Sequence, residues 1–314
     1  MTVRTSHVGS FPVDYNRRYV ESIAEALDEI GLDVPPYPQM RSFIDIYLEP
    51  LAKQGVLTKQ GGLYLASPQR VVEAEVRVEP IAEAEDMVSV VKEKNLRFSA
   101  LRGPVTGVFT LASRIFIEPR PEAGLRATAL SRRGLVKTFF VPYVRSYLRY
   151  LAGLGYRVLF IDEPVLGVMV GRRRILLGYS EEDIIEILGR VVKGLDGDVV
   201  GIHVCGVISP KLFELLTRVE GIKVLNFEFH DTPRNLEVVN STLLEQGDKL
   251  LAPGIASAKK PVVEDVEDMV KLLRKVHQIS RGLIDLVSAD CGFGGLRGVL
   301  KEEEALRISL EKLR

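Results

Sequence analysis

A chain of 314 residues can bury a large core, either as one α/β barrel or as two ordinary domains. Its 42 lysines and arginines balance 42 aspartates and glutamates, which argues against a nucleic-acid footprint or an acidic tail and leaves a small-molecule site as the better expectation. The two cysteines, Cys205 and Cys291, and the lack of a secretory pattern after Met1 argue for a reducing, cytoplasmic setting, and no apolar run reaches the roughly 18 residues of a membrane span.

In chain order, the first predicted strand is VRTSHVG (3–9). The region 32–50, with Pro35, Pro36 and Pro38, follows and reads as a long βα excursion that could cover a site. A poorly marked strand is expected near 71–78, then strands at LRFSALRG (96–103) and RVLFID (157–162). From Glu181 to Leu195 the spacing of Ile184, Leu188, Val191 and Leu195 predicts a helix, with Ser180 and Asp183 as a capping pair. Strands at DVVGIHV (198–204), KVLNFEF (223–229) and KLLAPGI (249–255) come next. A second helical stripe runs from Val263 to Ile279 through Val266, Met269, Val270, Leu273 and Val276, and LIDLVSAD (283–290) is the last strand.

Strand followed by helix, eight times over, predicts a single α/β domain spanning 1–314, a (β/α)8 TIM barrel with its active site at the C-terminal ends of the strands. An open doubly wound sheet is the alternative, but no G-x-G-x-x-G follows an early strand. No solenoid repeat or low-complexity linker divides the chain.

On that scaffold His203 and Cys205 end the fifth strand, Glu228 the sixth, and Cys291 follows the eighth. Imidazole, carboxylate and two thiolates form a tetrahedral Zn2+ set, and residues two apart on a strand face the same side. Ordinary packing of a buried His-x-Cys pair is the alternative. His230, two residues past Glu228, is the reserve ligand. His7 is expected to be a strand histidine satisfied by a carbonyl, and His277 to be exposed on a helix.

Seven ordered landmarks span almost the whole chain: VGSFP (8–12), RGPVT (102–106), IDEPVL (161–166), IHVCG (202–206), NFEF (226–229), APGI (252–255) and ADCGFGGLRG (289–298). Through them the chain resembles the C-terminal catalytic barrel of cobalamin-independent methionine synthase, in the superfamily that includes uroporphyrinogen decarboxylase. The resemblance implies a methyltransferase that converts the thiol of L-homocysteine to L-methionine. It implies the same zinc ligands, His203, Cys205, Glu228 and Cys291. It also implies that Ser10 holds the substrate carboxylate and Asp162 its ammonium, with Glu163 able to share that role.

The departures from the family bear on the methyl donor. The family's first barrel has no counterpart, the chain has no Trp where the family stacks the pterin after GPVT, and APGIASAKK offers Lys259 near the family's acid histidine. Methylfolate needs a general acid at N5, whereas a corrinoid leaves unprotonated, so the expected donor is methylcobalamin or a methylated corrinoid protein. Methylfolate with Lys259 as its acid, a thiol-alkyltransferase of the coenzyme M type, and a noncatalytic zinc-binding module are the competing readings.

Overall fold

The computed structural model of the protein describes residues 3–117 and 121–314. Among the described residues ten strands follow in chain order: β1 (Arg4–Thr5), β2 (Thr58–Gln60), β3 (Leu63–Leu65), β4 (Arg102–Thr106), β5 (Ile115–Phe116), β6 (Val158–Asp162), β7 (Val199–Val204), β8 (Val224–Glu228), β9 (Leu250–Gly254) and β10 (Leu286–Val287). Strands β4, β6, β7, β8 and β9 form one parallel sheet in that order. Bridges from Leu251 to Ile284 and from Gly254 to Ser288 join β9 to the β10 segment, which pairs in parallel with β1. Ser6 pairs with Val34 and Pro36 with Arg102, so residues 34–36 close the ring between β1 and β4. The eight staves form the TIM barrel that the alternation of strands and helices predicts.

The stave at 34–36 corrects one expectation. Pro35 and Pro36 cannot donate to a ladder, so this stave is held by isolated bonds, such as Val34 N–H to Thr5 O at 2.9 Å and Arg102 N–H to Pro35 O at 2.8 Å. Residues 71–78 are not a barrel strand. Ser67 caps a helix there, accepting from Arg70 N–H, and Pro68 sits in its first turn. The stave expected at 96–103 lies later, at Arg102–Thr106. A hairpin absent from the sequence reading joins β2 and β3 through Gly61 and Gly62, whose φ values of 56° and 80° suit the primed turns that favour such pairs.

The helix at Glu181–Val192 begins with a reciprocal capping box between Ser180 and Asp183, and its buried face carries Ile184, Ile187, Leu188 and Val191. The helix at Val266–Ile279 also forms, but only Val276 of its stripe is buried, and Val266 is 67 % exposed. Inside the barrel, Val34, Val158, Phe160, Val224, Ala252 and Leu286 make a cluster separate from the main core between strands and helices. A Cβ on Gly201 would lie 2.4 Å from the Phe160 ring, so the glycine admits that ring to the axis. Arg102 joins this layer fully buried, its guanidinium carbon 3.8 Å from the Phe160 ring centroid.

Candidate metal centre

The parallel register carries chemistry to one rim. Thr106 pairs with Asp162, Asp162 with His203, and Glu228 with Gly254, so strand ends that are far apart in sequence meet around one opening. Cys205 Sγ lies 2.8 Å from His203 Nε2 and 2.9 Å from Cys291 Sγ. The sulfur separation is far longer than the roughly 2.05 Å of a disulfide. The three ligand atoms fall within 4.8 Å of one another, a soft nitrogen and sulfur set of the kind zinc takes. The two thiols divide one ionisation: hydrogen bonding from Cys205 and from the His203 side holds Cys291 well below the ordinary thiol range, and the same pairing, together with burial, pushes Cys205 up. Burial would lower His203, but its hydrogen bond to Cys291 and the charges of Cys291 and Asp162 together outweigh it and raise the imidazole.

Glu228 stands beside this triad rather than within its 4.8 Å group. Its carboxylate is 1 % exposed, accepts from Thr232 Oγ1 at 3.0 Å, and lies 3.4 Å from Lys259 Nζ. Burial opposes the Lys259 charge, but Glu228 and Asp231 outweigh it and raise the ammonium above its ordinary range. Lys259 is held in place by Ser257, whose Oγ accepts from the Lys259 N–H at 3.1 Å and donates to Asp231 at 2.7 Å.

A cavity of about 840 Å³ opens over the triad, and Ser10, Asp162, His203, Cys205, Glu228, Lys259 and Cys291 all line it. Asp162 is 8 % exposed, and its Oδ1 is buried without a hydrogen-bond partner. Burial pushes its pKa up to about 6, against the opposing charges of His203 and Arg102. Ser10 Oγ accepts from Gly294 N–H at 3.1 Å, which leaves its hydroxyl hydrogen free to donate toward the cavity. Gly292 makes this fit: a Cβ there would lie 2.1 Å from Ser10 Oγ, so only glycine lets the first loop lie against the loop that carries Cys291.

Glu163 is the clearest correction among the expected substrate contacts. Its Oε1 accepts from Phe109 N–H at 2.9 Å, while its Oε2 accepts from Thr110 N–H at 2.9 Å and Thr110 Oγ1 at 2.7 Å. This buried carboxylate caps the short helix Val108–Ala112 and does not line the cavity. His7 also departs from expectation. Both ring nitrogens are buried without a hydrogen bond, the ring stacks on Phe293 at 4.6 Å, and burial lowers its pKa to about 3. His230 lies past the end of β8 with Nδ1 3.1 Å from Asp231, so it does not extend the strand face. His277 is exposed on its helix.

The sequence reading assigns no role to Asp290 and leaves Gln39 out of the expected site. Asp290, next to Cys291, accepts the N–H groups of Phe229, His230 and Asp231 and so holds the loop that follows Glu228. Gln39 lines the cavity within the 32–50 excursion, its Nε2 donating to Tyr37 Oη at 3.1 Å. Asp290 stood inside the ADCG landmark, and a strand-end carboxylate beside a ligand was its available signal. Met40, Phe43 and Asp45 line the same cavity, as expected of an excursion over the site.

A methionine synthase of Pyrococcus horikoshii is 23% identical over 231 residues, 70% of this chain and 61% of that protein. A methionine synthase of Methanothermobacter marburgensis is 29% identical over 192 residues, 61% of this chain and 56% of that one. The chain thus spans about three fifths of the length of the curated relatives it matches. Among solved structures, the B12-independent methionine synthase of Shewanella sp. W3-18-1, in complex with selenomethionine, shares the fold with a TM-score of 0.68, at 15% identity over 99% of this chain and 97% of that one. One described as a putative vitamin-B12 independent methionine synthase, from Listeria monocytogenes, gives 0.66 at 16% identity over 100% and 97%. The profile of the cobalamin-independent synthase catalytic domain matches residues 3–307, and the chain belongs to that family.

Proposed function

We propose that the protein transfers a methyl group to the thiol of homocysteine, giving methionine, and that its donor is methylcobalamin or a methylated corrinoid protein. The observation that carries this reading is the meeting of His203 Nε2, Cys205 Sγ and Cys291 Sγ at the floor of the cavity. These three residues would hold zinc, with Glu228 as the adjacent carboxylate. Zinc bound there supplies a Lewis acid that favours the thiolate of a substrate sulfur at neutral pH.

The remaining residues fix the amino acid end. The unpartnered Asp162 Oδ1 suits an ammonium, and the free Ser10 hydroxyl suits a carboxylate. Between them the substrate sulfur is directed toward the triad. In the transfer the sulfur–carbon bond forms with the sulfur pair, the thiol proton leaves to solvent, and the bond from methyl to donor breaks with its pair on the departing cobalt. That leaving group needs no acid. Methylfolate does, and Lys259 is a weak one here because Glu228 stabilises its charged form.

Comparing methylcobalamin with methylfolate at equal concentration tests this. Methionine formation from methylcobalamin should be the faster and should persist in Lys259→Ala. Efficient use of methylfolate that collapses in Lys259→Ala would sink the corrinoid reading, and a thiol panel in which another thiol outruns homocysteine would sink the substrate assignment.

A further inference from the structure

In the segment that joins β6, whose end carries Asp162, to the helix at Glu181–Val192, the chain turns through Gly171-Arg172-Arg173-Arg174. Val170 pairs antiparallel with Ile175, and Gly171 N–H donates to Arg174 O at 3.1 Å, so the turn is a short hairpin with three consecutive arginines exposed. Among the described residues none of the three has an ion-pair or hydrogen-bond partner for its side chain. In a chain of zero net charge this is a local excess of positive charge. The acids that follow do not neutralise it: Glu181 is held by Lys211 and Arg218, and Asp183 by Arg133 and Lys137.

The hairpin is fixed to the metal centre's own loop. Ser209 Oγ donates to Val170 O at 2.7 Å, and Ser209 begins the helix that follows Cys205. A Cβ at Gly167 would lie 3.3 Å from Val207 O and 3.4 Å from Cys205 O, so the two loops are in close contact. On these two loops, Val168 is 63 % and Val207 48 % exposed. The loops that leave the strand ends carrying Asp162 and His203 therefore present basic and apolar side chains together, the composition of a surface that meets an acidic partner. The cavity below, at about 840 Å³, must also hold the thiol substrate.

We infer that Arg172, Arg173 and Arg174, with Val168 and Val207, form the docking surface for an acidic face of a protein that delivers the methyl donor. This rests on the corrinoid reading above, and its test separates the two. The probe is a corrinoid-binding domain with an acidic face, charged with methylcobalamin, and its binding to the full chain is measured apart from turnover. The variants are R172E/R173E/R174E and the charge-keeping R172K/R173K/R174K.

Wild type should bind the probe about 10-fold more weakly when salt is raised from roughly 50 to 300 mM, and the reversed variant should bind about 10-fold more weakly at low salt. The lysine variant should stay within about 3-fold of wild type, and transfer from free methylcobalamin should change by less than about 2-fold in both. Absent binding by wild type, or equal binding by wild type and the reversed variant, overturns the docking surface. Salt-sensitive binding lost only in the reversed variant, with no methyl transferred from either donor, keeps the docking surface and overturns the corrinoid donor. A reversed variant that binds the probe normally but slows with polyglutamylated methylfolate would show that the arginines serve a small anionic donor, which also overturns protein docking.

Discussion

Gly292 faces Ser10 so closely that a methyl group on Gly292 would stand 2.1 Å from the serine oxygen and 2.7 Å from its backbone nitrogen. The loop that binds the substrate carboxylate in our account is therefore registered against the loop that carries Cys291. Gly292→Ala forces the two apart. It should cost about 2 kcal/mol of stability by overpacking and weaken homocysteine at least as much as Ser10→Ala does. Urea unfolding and homocysteine calorimetry check this; a fully stable variant with normal affinity would show that the two loops are not coupled.

Asp162 and Glu163 are adjacent carboxylates with opposite assignments. Asp162→Asn should weaken homocysteine by about 10-fold or more while leaving binding of 4-mercaptobutanoate, which lacks the ammonium, nearly unchanged. Glu163→Gln should do the reverse, losing about 2 kcal/mol because the amide cannot accept from both Phe109 and Thr110, with little selective effect on the amine. Loss of metal from Asp162→Asn would instead place Asp162 among the metal ligands.

The capping box gives a pH prediction away from the site. Burial would raise the Asp183 pKa, but Ser180 N–H, Arg133 and Lys137 overcome it and hold the carboxyl down to about 2. A depressed acid contributes stability that is present above the unfolded value near 3.9 and lost as pH falls through the folded value. Wild type should therefore exceed Asp183→Asn by about 1–2 kcal/mol at pH 7, and the gap should close between pH 4 and 2. A gap that holds constant across that range would contradict the assignment.

The sequence made the barrel legible through its period. Runs such as RVLFID and DVVGIHV are the continuous apolar runs of parallel strands buried on both faces, and the Ser180–Asp183 cap marked a helix start that the structure reproduces. The stave at 34–36 was illegible because prolines hide a strand whose ladder is only a few bonds. At the site, strand-end position was enough to bring His203, Cys205 and Cys291 together, since parallel staves place their ends on one rim. Position could not separate Asp162 from Glu163, because neighbours on a strand point to opposite sides and only packing shows which side faces the cavity. The burial of Arg102 and the exposure of Arg172–Arg174 likewise follow from tertiary packing.

In the proposed reaction His203, Cys205 and Cys291 hold a metal that serves the substrate thiol. Zinc content after exhaustive dialysis tests it most directly, in wild type and in Cys205→Ser and Cys291→Ser. Wild type should retain about one zinc per chain, with two protein sulfurs visible by X-ray absorption, and each variant should lose most of it. Full zinc occupancy in both serine variants, or a wild type whose metal has no sulfur neighbour, would contradict the account.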